Sequence, residues 1–289
     1  MPGSVLGGRG KDAAVKFRWL GVGGFELTVG ERVLLVDPFF TRPSLPQVLF
    51  QRLAPLEGRV SPYVRRCDAV LVTHPHYDHL LDIPIVQRLT GCGVYGGPNS
   101  LSILRLAGVP EGSLHEIRDG MELRLDPFQV DVHPGDHVRI LGRLPFAGEL
   151  PAGLRPPLRA MDYRMDVCHN FLISSGGIRL LLWNGPTMKG APGADVLLLQ
   201  PFFGSHRYSQ LLDLAKPRWA IPIHWDDFTR PLSRPMRSVM RLPSLRRPWL
   251  RRLKIDRFKR RVEALGKPVH VLIPDILKSY DLSEALLLE

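Results

Sequence analysis

The chain has 289 residues, 44% of them apolar and 23% charged, which suits one or two globular domains with a full core and excludes a disordered or low-complexity protein. No stretch reaches the roughly 18 to 20 uninterrupted apolar residues of a membrane span, and three scattered cysteines, Cys67, Cys92 and Cys168, argue against a disulfide framework or a structural zinc knot. The net charge of +11 favours anionic partners, and fourteen of the 39 Lys and Arg residues crowd between Arg230 and Lys267.

Residues 1–15 are Gly-rich and lack the apolar core of a secretory signal, so a flexible leader and a cytoplasmic location are expected. Residues 16–289 then read as a single domain with a basic insertion at about 230–261. "KFRWLGVGGFELTVGERVLLVDPFF" predicts two or three strands turning at Gly23-Gly24 and Gly30-Glu31, the last a nearly continuous apolar run ending in Asp37. A Pro-punctuated connection over 38–63 leads to the buried-strand pattern "CDAVLVTH". The helical spacing of Ile83, Val86 and Leu89 stops at Gly91, a natural C-cap. "MELRLDPFQVDVHPGDH" alternates like an antiparallel ladder, residues 142–165 form a Pro- and Arg-rich surface loop, and "NFLISSGGIRLLLWNGPT" is a hairpin turning at Ser175-Gly176-Gly177. A final strand-helix-strand series, "ADVLLLQPFF", "SQLLDLAK" and "RWAIPIHWDDF", delivers His224. Strands separated by helices, with strands of both halves ending in ligand-type residues, predict an α/β fold of two sheets between helices.

The stretch "THPHYDHL" places His74, His76, Asp78 and His79 within six positions directly after a buried strand. Divalent zinc, iron or manganese takes imidazole and carboxylate donors. This spacing turns alternate residues toward one centre and the adjacent residue toward a second, with Pro75 stiffening the turn. Solvated loop histidines would explain one or two of these positions, not four. His133 lies in the strand pattern four residues before His137 and reads as a packed histidine.

"THPHYDHL" resembles the His-x-His-x-Asp-His signature of the metallo-β-lactamase-fold hydrolases, and the resemblance extends in order over roughly residues 17–275. It implies a four-layer αββα sandwich with metals at one edge of the sheets, and hydrolysis by a metal-bound hydroxide. "LLVDPFF" resembles the motif whose aspartate, here Asp37, supports the metal loop through hydrogen bonds. "VHPGDH" resembles the motif that would place His137 with His74 and His76 at a first metal, and "IPIHWDDF" the one that would place His224 with Asp78 and His79 at a second. Zn2+, one or two per chain, is the implied cofactor, with Mn2+ or Fe2+ as alternatives. The forms "DPFFTRP" and "PIHW" look most like the branch holding N-acyl-phosphatidylethanolamine phospholipase D and L-ascorbate 6-phosphate lactonase. An ester, lactone or phosphodiester is therefore the expected substrate, either a small molecule or a lipid.

One position departs from this pattern. "LLLWNGPT" carries Pro186 where dinuclear relatives carry a bridging aspartate. Without it the two cations lack a screening carboxylate. Three outcomes are open: one metal with Asp78 acting as general base; a substitute ligand from Asn184, Asp136, Asp166, Asp226 or Asp227; or a catalytically altered protein that binds an anionic ligand or lipid surface or performs a non-hydrolytic metal-assisted reaction. Asp78 and His79 are the expected catalytic pair. Asn184 or Thr187 is the expected hydrogen-bond donor to a developing oxyanion, and His206, Thr187 and Phe202 are the expected substrate contacts. The pairs Phe39-Phe40 and Phe202-Phe203 and the 142–165 loop are expected to shape the pocket. The stretch 246–261 reads as a basic amphipathic helix that either docks on the sandwich or touches an anionic membrane. Nucleic acid is not favoured, since no recognition motif accompanies the charge.

Overall fold

The computed structural model describes residues 14–139, 142–187, 190–241 and 251–287. In chain order the strands of its first half are β1 Val15–Gly21, β2 Gly24–Val29, β3 Arg32–Val36, β4 Arg52–Leu53, β5 Ala69–Leu71, β6 Gly93–Gly96, β7 Leu114–Glu116, β8 Glu122–Leu125 and β9 Phe128–Pro134. Those of the second half are β10 Leu158–Arg159, β11 His169–Ser175, β12 Ile178–Trp183, β13 Val196–Leu199, β14 Trp219–Pro222, β15 Met240–Arg241, β16 Arg251–Arg252, β17 His270–Val271 and β18 Ser279–Asp281. The helices are α1 Leu45–Phe50, α2 Glu57–Val60, α3 Tyr77–Leu80, α4 Ile83–Thr90, α5 Pro98–Leu106, α6 Ser205–Ala215, α7 Ile255–Glu263 and α8 Leu282–Leu287.

Two seven-stranded mixed sheets result, ordered β18-β1-β2-β3-β5-β6-β7 and β17-β14-β13-β12-β11-β9-β8, with small ribbons β4–β10 and β15–β16 beside them. The apolar runs explain the layering, because neighbouring residues of a strand face opposite ways. Leu34 and Val36 of β3 join Leu180, Leu182, Val196 and Leu198 in a core between the sheets. Val33 and Leu35 turn outward to Ile83, Val86 and Ile103 of α4 and α5. Leu181, Leu197 and Leu199 turn the other way, to Tyr208 and Leu211 of α6 and Phe258 and Val262 of α7. Three apolar interfaces between four layers make the expected αββα sandwich.

The expected β1–β2–β3 meander forms, and α4 ends at Gly91 with the left-handed φ of +70° that a C-cap requires. The expected leader lies outside the described residues up to residue 13, and Val15 already begins β1. Of the basic stretch, residues 246–250 lie outside the described residues. The remainder forms β16 and α7, and α7 buries Phe258 and Val262 against the second sheet. Among the described residues no helix is long and apolar enough to cross a membrane.

Candidate metal centre

The site lies where parallel strands end together. Val36 of β3 pairs with Leu71 of β5, and Leu199 of β13 pairs with both Trp183 of β12 and Pro222 of β14, so the residues that follow emerge along one edge. There Asp37 follows β3, the 74–79 turn follows β5, His137 follows β9 and His224 follows β14. Two trios assemble: His74, His76 and His137, then Asp78, His79 and His224, with the donor atoms of each trio within 4.8 Å of one another. The His74 and His79 rings touch at a centroid distance of 4.0 Å, which makes the trios neighbours.

The hydrogen bonds fix the tautomer of four rings. Asp37 Oδ1 accepts from the Thr73 amide at 2.8 Å, and its Oδ2 accepts from the Thr73 hydroxyl at 2.5 Å and from His79 Nδ1 at 2.7 Å. Having given its single proton to a carboxylate, the Thr73 hydroxyl can only accept from His74 Nδ1, 2.9 Å away. His137 Nδ1 donates to the Val138 carbonyl at 2.9 Å, and His76 Nε2 donates to the Pro145 carbonyl at 3.1 Å. In its neutral form each ring is left with one unprotonated nitrogen, and His74 Nε2 is buried without a hydrogen-bond partner.

Burial pushes the His74 imidazolium well below its ordinary pKa, helped by the neighbouring rings, and brings His76 down to about 4. Burial also lowers His137. In His79 burial acts the same way, but Asp37 and Asp78 overcome it and raise the pKa. Burial opposes the ionisation of Asp78, yet His79, His224 and His76 outweigh it and hold the carboxyl below the usual range.

Asp78 Oδ2 stands 3.6 Å from His79 Nε2 and 3.5 Å from His224 Nε2, too far for good hydrogen bonds. Two donors each about 2.1 Å from one tetrahedral ion would be roughly 3.4 Å apart. The gap, the orphaned His74 nitrogen and the imidazole-carboxylate chemistry of the donors all fit divalent ions.

Further features that the sequence does not assign to the site support this edge. Thr73 is one. A Cβ on Gly23 would meet His79 Cε1 at 2.9 Å, and one on Gly24 would meet the Asp37 carbonyl at 2.6 Å, so the β1–β2 turn packs on the site as closely as backbone allows. Asp37 and His224 adopt φ of +44° and +58°, in the left-handed region that non-glycine residues occupy mainly where the surroundings impose it. The only sequence signals were the Gly pair and the Thr ahead of the motif.

Other expectations need correction. None of Asp136, Asp166, Asp226 and Asp227 joins either trio. Asp226 faces Arg42 at 2.7 Å in a fully buried ion pair and accepts from the Val22 amide. Asp136 accepts from Thr187 Oγ1 and the His137 amide, Asp166 accepts from the Asn99 and Val167 amides, and Asp227 binds Thr229, Arg237 and Arg252. Phe39 and Phe40 are buried in the core beneath the helices, because Asp82 accepts the Phe40 and Thr41 amides and turns that segment inward. Phe203 is buried as well.

Asn184 lies buried at the end of β12, its backbone amide donating to Asn170 Oδ1 and its side-chain oxygen accepting from Gln200 Nε2. His206 is exposed on the first turn of α6 and joins neither trio. Phe202 approaches His224 with ring centroids 6.5 Å apart, and Phe228 does so at 6.4 Å. From the 142–165 loop, Phe146 stands 6.0 Å from His76.

Comparison with known proteins identifies the fold that carries this site. Residues 32–155 match the β-lactamase superfamily domain. Igni18, a metallo hydrolase from Ignicoccus hospitalis, superimposes with a TM-score of 0.58 over 92% of this chain and 97% of its own, at 16% identity. The chain has the metallo-β-lactamase fold. CmlA of Streptomyces venezuelae, described as a diiron β-hydroxylase, shares the fold at a TM-score of 0.57 and 15% identity, covering 93% of this chain and 54% of CmlA. By sequence, a UPF0173 metal-dependent hydrolase of Cupriavidus taiwanensis is 29% identical over 78% of this chain and 79% of its own length.

Proposed function

We propose that this metallo-β-lactamase-fold protein is a metal-dependent hydrolase that binds two divalent ions, Zn2+ first among them, and cleaves an ester, lactone or phosphodiester. One observation carries the reading: four rings are held by Thr73, Asp37, Val138 and Pro145 in the tautomers that leave a lone pair for a cation. His74, His76 and His137 would hold one ion, and Asp78, His79 and His224 the other. The relatives' description as metal-dependent hydrolases and the two-trio geometry support it.

When bound, such ions supply Lewis acidity and lower the pKa of water. The chain's own groups do the rest. Asp78 stays ionised and approaches His79 and His224 through Oδ2, which leaves Oδ1 to accept a proton. Phe146, Phe202 and Phe228 border the trios and would limit water around a bound substrate. Thr187 directs its hydroxyl to Asp136, so a role toward an oxyanion would require that bond to open.

Pro186 supports a second reading, a catalytically altered member that keeps the centre for ligand binding, since the candidate substitute carboxylates are engaged elsewhere. Metal analysis of chelator-free protein decides between site states. About two equivalents in the wild type, falling to about one in His224→Ala, support the dinuclear centre. One equivalent, unchanged by the substitution, overturns it. Asp78→Ala abolishes turnover of lactone or phosphodiester substrates under the first reading, whereas ligand binding without wild-type turnover supports the second.

A further inference from the structure

A second feature lies behind the metal turn. Helix α1, Leu45–Phe50, buries none of its residues. Leu49 is 59% exposed and Phe50 75%. Only Val48 of it packs, half-buried, against the core, and a six-residue helix gains little from its own hydrogen bonds, so the apolar side chains on its outer side form a surface awaiting a partner. Just beyond it opens an apolar cavity of ≈ 280 Å³ lined by Leu53, Leu80, Leu81, Ile103, Leu158 and Tyr163, among others. Leu80 ends the short helix that carries Asp78 and His79, and Leu81 follows it, so the cavity backs directly on the metal turn.

The exposed apolar residues gather here. Of the twelve large apolar side chains exposed among the described residues, six belong to α1 or lie within three residues of the cavity lining: Leu45, Leu49, Phe50, Leu56, Leu106 and Met161. Half of the exposed apolar groups therefore fall on α1 or beside the cavity lining in sequence, a concentration that scatter would not give.

Charge identifies the partner. In the ribbon β4–β10, Leu53 and Leu158 are buried opposite one another, while Arg52 and Arg159 are exposed opposite one another. Like charges directly across an antiparallel pair destabilise it. Arg52 also donates to the carbonyls of Arg155 and Pro157, which brings a third exposed arginine beside the pair. Among the described residues no carboxylate forms an ion pair with Arg52, Arg155 or Arg159. A two-fold partner copy would set these arginines against their own kind, since such an interface is self-complementary. A surface of anionic head groups over acyl chains satisfies both the guanidinium cluster and the apolar helix.

We propose that this face docks on an anionic phospholipid bilayer. Leu45, Leu49 and Phe50 enter the acyl layer, the cavity receives an acyl tail, and Arg52, Arg155 and Arg159 take head-group phosphates. This surface is distinct from β16 and from α7, which packs on the second sheet's side, and the proposal does not depend on the reaction at the metal centre.

The test is co-sedimentation of the full chain with vesicles of phosphatidylcholine, alone or mixed with phosphatidylglycerol. The wild type pellets with the mixed vesicles, less so as salt rises. Leu49→Ser with Phe50→Ser weakens binding at least about tenfold with an unchanged thermal melt, because both side chains are exposed. Arg52→Gln with Arg159→Gln removes the preference for phosphatidylglycerol. Arg251→Gln with Arg257→Gln and Arg260→Gln leaves most of the binding. A dye on Leu49→Cys, the native cysteines being buried, shifts to the blue on vesicle addition. Wild-type binding by the Leu49/Phe50 variant, loss only in the Arg251 series, or a dimer in sedimentation velocity that the Leu49/Phe50 variant dissolves would each overturn the proposal.

Discussion

Asp37→Asn tests the tautomer argument with one nearly isosteric change. Asn tolerates the left-handed φ of +44° at this position, so the backbone need not move. Its oxygen can still accept the Thr73 amide, but its NH2 then faces the Thr73 hydroxyl and His79 Nδ1, both of which donate to the native carboxylate. The hydroxyl becomes an acceptor there and is free to donate to His74 Nδ1, which moves the His74 proton to Nε2. His79 Nδ1 must likewise accept, and its proton also moves to Nε2. One substitution therefore points an N–H inward in each trio. Exchanging two charge-assisted bonds for neutral ones costs the metal-free protein about 1–3 kcal/mol. Loss of the supporting carboxylate weakens metal binding about 10–100-fold, equivalent to about 1.4–2.7 kcal/mol. Competition with a chromophoric chelator reads the affinity, and urea unfolding of the metal-free protein reads the stability. Unchanged affinity at both trios, with the unfolding midpoint lowered, would refute the argument and leave Asp37 a purely structural residue.

Acid should destabilise the metal-free protein in a defined window. His76 has a folded pKa of about 4 against 6.5 when unfolded, so between these values the unfolded chain binds the extra proton and stability falls as pH falls. From pH 6.5 to 5 this term alone amounts to about 2 kcal/mol. His74 and His137 add to it with the same sign. His79, raised, acts with the opposite sign near pH 6.5, where its unfolded form is half protonated, and offsets a small part of the loss; Asp78 is ionised in both states and adds nothing. Equal urea midpoints at pH 6.5 and 5 would contradict this. Asp226→Ala should cost about 3–5 kcal/mol by stranding the Arg42 guanidinium in the core. Adding Arg42→Met should recover part of that loss, and a double-mutant cycle with no coupling would show that the pair is not the source.

The ligand-type residues were legible because the chemistry is local: four of them follow one buried strand, and His137 and His224 each follow another. The layers were legible from runs such as "VLLV" at 33–36, where every residue is apolar because both faces are covered. What sequence could not give is how the side chains are spent. Asp226 looked available as a ligand, yet its partner Arg42 lies 184 positions away. Phe39 and Phe40 looked like pocket walls until Asp82 turned their segment into the core. Helix α1 was hidden in a Pro-punctuated connection, because a six-residue helix that rests only Val48 on the core has no core-facing stripe to betray it.

The clasp between the two halves of the chain bears on the order of events during synthesis. The His224 amide donates to the Val22 carbonyl at 2.7 Å and the Val22 amide donates to Asp226 at 2.8 Å, so the edge closes only when the first turn of the protein meets its last long strand. His224 leaves the ribosome 145 residues after His79. At about 5–20 residues per second, that is roughly 7 to 30 seconds during which Asp78 and His79 stand without their third partner. Through that interval the inner face of the first sheet stays incompletely covered, because the strands of the second sheet emerge one after another. A nascent chain therefore waits, apolar face open, for a segment it has not yet received, and loading of the second trio belongs to the finished protein.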